Sequence, residues 1–128
     1  MPWTRSPSYS AISSSATRRV ISEDTAVKMS RILEGVAEVG TGLEAQIPGY
    51  AVAGKTGTAQ KPEQIYGGYS KTKYVASFVG FAPARDPKLL VSVMVDEPKG
   101  DIYGGAVAAP AFKEITSFAL NYLRIAPE

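Results

Sequence analysis

The residues with the clearest chemical potential are Lys55, Thr56, Gly57 and Thr58, which follow one another in the sequence. They place an ammonium group, two hydroxyls and a glycine on one short segment, and the glycine leaves room for a ligand beside the backbone. On an exposed strand, such a segment could bind a carboxylate. The 128-residue chain has no Cys and no His, so its chemistry must use Ser, Thr, Lys, Tyr or carboxylates.

Composition removes several classes of function. Without Cys or His, thiol nucleophiles, zinc sites built on those residues and haem ligation by either residue are excluded, and we expect no metal and no cofactor. The 14 basic and 12 acidic residues are spread along the chain and form no cationic stripe, so nucleic acid is not an expected partner. No segment approaches the roughly 18 apolar residues of a membrane-spanning helix.

The elements that must position the lysine segment begin after a predicted leader. Residues 1–19 are rich in serine and lack acidic residues, which is typical of a disordered tail or of a leader added by cloning, whereas residues 20–128 read as one domain. Ser22 is a good N-cap for a helix that ends near Gly40. The apolar stripe expected to be buried comprises Ala26, Met29, Ile32, Leu33 and Val36.

Three strands and a final helix follow. Residues 50–59, 74–81 and 89–96 read as strands, and residues 60–73 as a long polar loop. The turn-forming APARDPK segment predicts an antiparallel hairpin between the last two strands. Residues 106–124 predict one helix, with Pro110 in its first turn or at a kink. The predicted fold class is therefore α+β, a three-stranded antiparallel sheet with one preceding helix and one C-terminal helix.

A phosphate-binding loop is the first alternative, because residues 49–56 satisfy G-x-x-x-x-G-K-[ST], and Asp96 ends an apolar strand as a magnesium ligand would. That loop requires a helix that starts at Lys55 and a parallel sheet. The glycine and proline after Thr56 disfavour such a helix, so nucleotide binding is the less favoured interpretation. A non-enzymatic interaction module is a second alternative.

Four ordered segments carry a more specific resemblance. The segments VAGKTGTAQK, YVASFVGFAP, LLVSVMVDEP and GGAVAAPAFKEI, with RRVISEDTAVKMSRILEGVAEVGTG before them, resemble the C-terminal part of a class B penicillin-binding protein. The resemblance covers about residues 18–124. It implies a bacterial D,D-transpeptidase of peptidoglycan synthesis, in which a serine is acylated by a stem peptide or by a β-lactam.

The resemblance implies roles for the K-T-G segment. Lys55 would supply positive charge, Thr56 and Thr58 would hydrogen-bond the ligand carboxylate, and Gly57 would let the ligand lie against the strand. The amide of Thr58 would form half of the oxyanion hole. The implied location is the extracytoplasmic face of the cytoplasmic membrane, although no anchor lies in this sequence.

Two further motifs of the family are missing. The sequence has no S-x-N, and its only S-x-x-K, residues 70–73, follows a Gly-Gly pair instead of opening a helix, so we expect Ser70 to be a solvated loop serine. The chain alone is therefore predicted to be inactive and to need the missing N-terminal part of the domain as a partner. Its exposed sheet edge could also self-associate.

Three tyrosines near the Gly-Gly pair allow two interpretations. Tyr66, Tyr69 and Tyr74 could line a substrate cleft, but aromatic residues beside such a loop more often cap the core. Core capping is therefore the favoured interpretation.

Overall fold

The computed structural model describes residues 18–128. Of the predicted leader over residues 1–19, only Arg18 and Arg19 belong to the described part, and both are exposed. The rest of that prediction lies outside the described residues.

Helix α1 spans Glu23–Val39, as the sequence predicts. Ser22 caps it, since its Oγ accepts a hydrogen bond from the Thr25 amide at 3.2 Å, and Glu23 and Asp24 lie at the positive end of the helix dipole. The helix ends at Gly40, as expected.

The buried face of α1 differs from the predicted stripe. Met29 and Ile32 are 47% and 63% exposed, whereas Ala37 and Glu34 are buried. Ala37 is small enough for a close approach, and its carbonyl accepts a hydrogen bond from the Gln46 side chain at 3.0 Å. The predicted burial of the whole stripe was therefore wrong, because tertiary contacts with Gln46 and Arg85, whose guanidinium lies 3.2 Å from the Glu34 carboxylate, place Ala37 and Glu34 on the buried side.

The sheet has the order β1-β2-β3, and both pairs of strands are antiparallel. The strands span Ala53–Pro62, Tyr69–Ala82 and Leu89–Asp96. The predicted loop over residues 60–73 was therefore too long, because both of its ends continue the β1 and β2 ladder. The connection that remains includes Gly67 and Gly68, whose positive φ angles of 72° and 77° permit the reversal.

The C-terminal segment forms two helices, α2 over Gly104–Val107 and α3 over Ala109–Tyr122, where the sequence predicted one. Pro110 lies in the first turn of α3, as expected. Because proline has no amide hydrogen, it cannot continue the hydrogen-bond series of α2 into α3. Pro110 therefore explains the division at Ala108.

The core lies between the sheet and α3. Phe78 of β2 and Phe112 of α3 are fully buried, with ring centroids 4.8 Å apart and ring planes tilted by 59°. Leu120 extends this contact along the helix. The opposite face of the sheet, called here the open face, carries the exposed side chains of Val79, Leu90 and Met94. The result is the predicted α+β fold. No helix among the described residues is long and apolar enough to cross a membrane.

A charged cluster joins the two outer strands at one end of the sheet. Lys61 Nζ lies 2.9 Å from Asp96 Oδ1 and 2.9 Å from Glu97 Oε1. The hydrogen bonds to Asp96 and then to Glu97 raise the pKa of Lys61, and the hydrogen bond from Lys61 lowers the pKa of Glu97. The cluster therefore stabilises the fold while both sides are charged.

Replacing Glu97 by glutamine is expected to make the melting temperature less dependent on pH in the acid range. The contribution of Glu97 is present above the carboxyl's unfolded pKa and disappears as pH falls through the lowered folded pKa. Tm values measured by circular dichroism from about pH 7 to pH 3 should therefore fall less for E97Q than for the unsubstituted chain. Glu38→Gln is the matched control, because Glu38 is exposed and makes no salt bridge in the described chain. An equal fall in Tm between about pH 7 and pH 3 for E97Q and for the unsubstituted chain would contradict this interpretation.

Candidate functional site

The K-T-G segment lies in the middle of β1, at an edge of the three-stranded sheet. The Glu97 amide donates to the Tyr74 carbonyl at 2.9 Å, which identifies one hydrogen-bonded pair of the β2-β3 ladder. In an antiparallel ladder, hydrogen-bonded and non-hydrogen-bonded pairs alternate, so the even-numbered residues of β2 bond to β3 and the odd-numbered residues bond to β1. Thr56 and Thr58 lie opposite even-numbered residues of β2, and their amides therefore point away from β2. The Thr58 amide therefore lies at the unpaired edge of the described sheet, where a ligand could accept its hydrogen.

The side chains of the segment divide between the two faces of the sheet. Thr56 lies opposite Phe78 in the register, on the face that packs against α3, and Thr58 lies on the same face. Lys55 lies opposite Val79, on the open face. A ligand along the β1 edge could thus contact hydroxyls from one face and the ammonium group from the other.

Lys55 is exposed and makes only local contacts. Its Nζ donates to the carbonyl of Thr56 at 2.9 Å and to the Thr56 hydroxyl at 3.3 Å. Among residues 18–128, no carboxylate forms a salt bridge with it. Its charge is therefore available to an anionic ligand.

Hydrogen bonds to residues outside β1 hold both threonine hydroxyls in place. The hydroxyls of Thr41 and Thr56 lie 2.9 Å apart, and the Thr58 hydroxyl accepts from the Gly104 amide at 3.3 Å. Because the Thr58 oxygen acts as the acceptor in that bond, its own hydrogen can be donated to a carboxylate.

Close backbone packing sets the position of this edge. A Cβ on Gly104 would overlap the Ser77 carbonyl and lie 2.6 Å from the Gly57 carbonyl, so only glycine lets α2 approach β1 and β2 this closely. A Cβ on Gly57 would overlap the Ser77 hydroxyl on the open face. Contact with Ser77 therefore gives a reason within the fold for glycine at position 57, in addition to the predicted approach of a ligand.

A cavity of about 290 Å³ adjoins the segment. Its lining consists of Thr41, Thr56, Thr58, Tyr103, Gly104, Gly105 and Ala106. Sequence reasoning missed Thr41 and Tyr103, because neither belongs to a recognisable motif. The Gly-Gly pair at the start of the last helical segment was a signal for close approach, although its neighbour could not be deduced.

The S-x-x-K match does not have the geometry of a helical nucleophile motif. Ser70 and Lys73 lie in β2, and the Ser70 Oγ accepts hydrogen bonds from the amides of Thr72 and Lys73 at 3.2 and 3.1 Å. The prediction of a solvated loop serine was wrong, since Ser70 is only 6% exposed. Its hydroxyl oxygen is an acceptor for amides of the neighbouring backbone.

The nucleotide-binding alternative fails its geometric requirements. Lys55 and Thr56 belong to a strand instead of the first turn of a helix, and the sheet in the described part of the chain is wholly antiparallel. Asp96 forms a salt bridge with Lys61. The amides that would surround a phosphate at a helix N-terminus are therefore not assembled at Lys55.

The tyrosine predictions are only partly supported. Tyr66 and Tyr69 are 91% and 69% exposed, so the favoured core-capping interpretation was wrong for both. Tyr74 is half-buried, and its hydroxyl donates to the Lys71 carbonyl at 3.3 Å. None of the three lines the cavity beside the K-T-G segment.

Comparison with known proteins gives a consistent result. The family model for the penicillin-binding protein transpeptidase domain matches residues 9–117. A probable peptidoglycan D,D-transpeptidase, PenA, of Neisseria flavescens is 44% identical over 112 residues, which are 86% of this chain and 28% of that protein. Stage V sporulation protein D of Bacillus subtilis is 48% identical over 113 residues, or 88% of this chain and 17% of that protein. The chain thus spans less than a third of either relative.

Solved structures agree with the fold. The apo transpeptidase domain of penicillin-binding protein 3 from Burkholderia pseudomallei is 44% identical and has a TM-score of 0.77, with 87% of this chain and 34% of that one covered. Penicillin-binding protein 3 from Mycobacterium tuberculosis, complexed with ampicillin, is 33% identical and has a TM-score of 0.76, with 86% of this chain and 26% of that one covered.

Proposed function

The chain belongs to the penicillin-binding protein transpeptidase family, and we propose that residues 20–128 are the C-terminal subdomain of a peptidoglycan D,D-transpeptidase. The observation that carries this proposal is the β1 edge, where a lysine with no carboxylate partner among residues 18–128, two hydroxyls and an outward amide lie within four consecutive residues. The proposed ligands in the intact enzyme are a peptidoglycan stem peptide and a β-lactam. The proposed location is the extracytoplasmic face of the cytoplasmic membrane.

The proposed roles follow from the two faces of β1. Lys55 supplies positive charge from the open face, while Thr56 and Thr58 donate hydroxyl hydrogens to the ligand carboxylate from the other. The Thr58 amide stabilises the oxyanion that develops on the attacked carbonyl. Gly57 keeps the centre of the strand free of a side chain, so the ligand backbone can lie along the edge.

The nucleophile comes from outside this chain in our proposal. The S-x-x-K match lies on a strand, and the sequence has no S-x-N. Since acyl transfer needs a nucleophile with an adjacent base, the isolated chain binds ligand weakly and is not acylated. The remaining N-terminal part of the domain is its functional partner.

Intact-mass spectrometry of the chain after incubation with excess benzylpenicillin tests the proposal that the chain alone is inactive. We expect no stoichiometric adduct on the isolated chain. A chimera that carries residues 20–128 in place of the matched segment of the Burkholderia pseudomallei domain should form a single adduct, because that domain shares 44% identity with this chain. An adduct on Ser70 of the isolated chain would contradict the proposal. A folded chimera that is never acylated would contradict the assignment of the β1 edge.

A further inference from the structure

The ammonium group of Lys55 lies at the edge that the proposed ligand would occupy. Its Nζ donates to the Thr56 carbonyl at 2.9 Å and to the Thr56 hydroxyl at 3.3 Å. Thr56 lies opposite Phe78, an even-numbered residue of β2, so its carbonyl points away from β2, as its amide does. A ligand that lies along this edge therefore competes with the ammonium group for the acceptors of Thr56.

Among the strand residues that the structure describes, one polar side chain adjoins Lys55 on the open face. The neighbours of Lys55 on that face, along β1 and across to β2, are Ala53, Gly57, Ser77, Val79 and Phe81. Of these, only Ser77 has a side chain that accepts a hydrogen bond. Ser77 is diagonal to Lys55 in the register, and a diagonal separation of about 7–8 Å is within reach of a long side chain.

Gly57 leaves the space between Lys55 and Ser77 open. It lies directly opposite Ser77, and a Cβ on Gly57 would overlap the Ser77 hydroxyl. The Ser77 hydroxyl therefore lies over the backbone of Gly57, on the same face of the sheet as the Lys55 side chain. A larger residue at position 57 would separate the two polar groups.

We propose that Ser77 is a positioning residue for Lys55, an inference that rests on the proposed function. When a ligand occupies the β1 edge, the ammonium group of Lys55 leaves Thr56 and donates to the Ser77 hydroxyl across Gly57. This movement frees the Thr56 carbonyl and hydroxyl for the ligand and keeps the positive charge beside it. Ser77 acts through Lys55 and does not touch the ligand.

Ser77→Thr and Ser77→Val are the matched pair that tests this role. Both side chains are β-branched, but only threonine keeps the hydroxyl. In the chimera that carries residues 20–128, the second-order rate constant for acylation by benzylpenicillin should be about tenfold lower for S77V than for S77T, because one hydrogen bond to a charged group is lost. Thr72→Val is the control, since it removes an exposed hydroxyl from the same strand and should leave the rate constant unchanged.

The same pair in a chimera that also carries Lys55→Met separates positioning from a structural effect. Without the ammonium group, S77T and S77V should differ by less than about twofold in the rate constant. A difference of the same size with and without Lys55 would show that Ser77 acts on the fold or on the ligand directly, which overturns the proposal. Equal rate constants for S77T and S77V with Lys55 present also overturn it, whereas acylation of the unsubstituted chimera would still support the proposed function.

Discussion

Thr58→Pro is expected to lower benzylpenicillin acylation of the chimera about 10²–10³-fold relative to Thr58→Val. Both variants lose the hydroxyl, but only proline also removes the amide hydrogen proposed for the oxyanion hole. That amide points away from β2, so its removal costs the sheet no ladder hydrogen bond. The acylation rate constant, measured by intact mass at several times of incubation, provides the comparison.

The neighbouring residue gives the control for this prediction. The registers place the amide of Ala59 inside the β1-β2 ladder, so Ala59→Pro should lower Tm, whereas Thr58→Pro should leave Tm close to that of T58V. Equal acylation rates for T58P and T58V would remove the Thr58 amide from the proposed oxyanion hole. A large loss of Tm in T58P would contradict the assigned hydrogen-bond alternation.

The elements with a strong local signal could be predicted from sequence. Short-range interactions determine three of these features: the cap at Ser22, the strand Leu89–Asp96 and the position of Pro110 in the first turn of a helix. The K-T-G segment was likewise expected on an exposed strand, and β1 confirms that placement. These predictions held because each depends on a few residues that are close in sequence.

The predictions that failed depend on tertiary contacts. Residues 60–62 and 69–73 are too polar to indicate strands by themselves, yet they extend the β1-β2 hairpin because the partner strand supplies their hydrogen bonds. The buried side of α1 includes Ala37, whose carbonyl accepts a hydrogen bond from the Gln46 side chain at 3.0 Å, and helical periodicity does not reveal such a contact. Exposure of Met29 and Ile32 is consistent with a surface that the rest of a transpeptidase domain would cover, as our proposal requires.

Phe112→Ala is expected to cost about 3–5 kcal/mol of unfolding free energy. Phe112 is fully buried and packs against Phe78 at 4.8 Å, so truncation leaves a cavity where α3 meets the sheet. The total free energy of unfolding of a small domain is only about 5–15 kcal/mol. The variant should therefore unfold at a much lower urea concentration, with an unchanged m value if the unfolded surface is the same.

The same helix offers a matched control for this core substitution. Phe118 is 71% exposed and stacks on the exposed Tyr122, with ring centroids 6.0 Å apart, so Phe118→Ala should change the free energy of unfolding by no more than about 0.5 kcal/mol. Urea unfolding of both variants at one fixed protein concentration separates the core effect from any self-association.

Helix α3 also holds α2 and Gly104 against β1. Loss of the Phe78–Phe112 contact should therefore loosen the packing of α2 on β1 at Thr58, and the Gly104 amide should exchange its hydrogen faster. Similar losses in F112A and F118A would show instead that α3 is stabilised along its whole surface, and would place the centre of the core elsewhere.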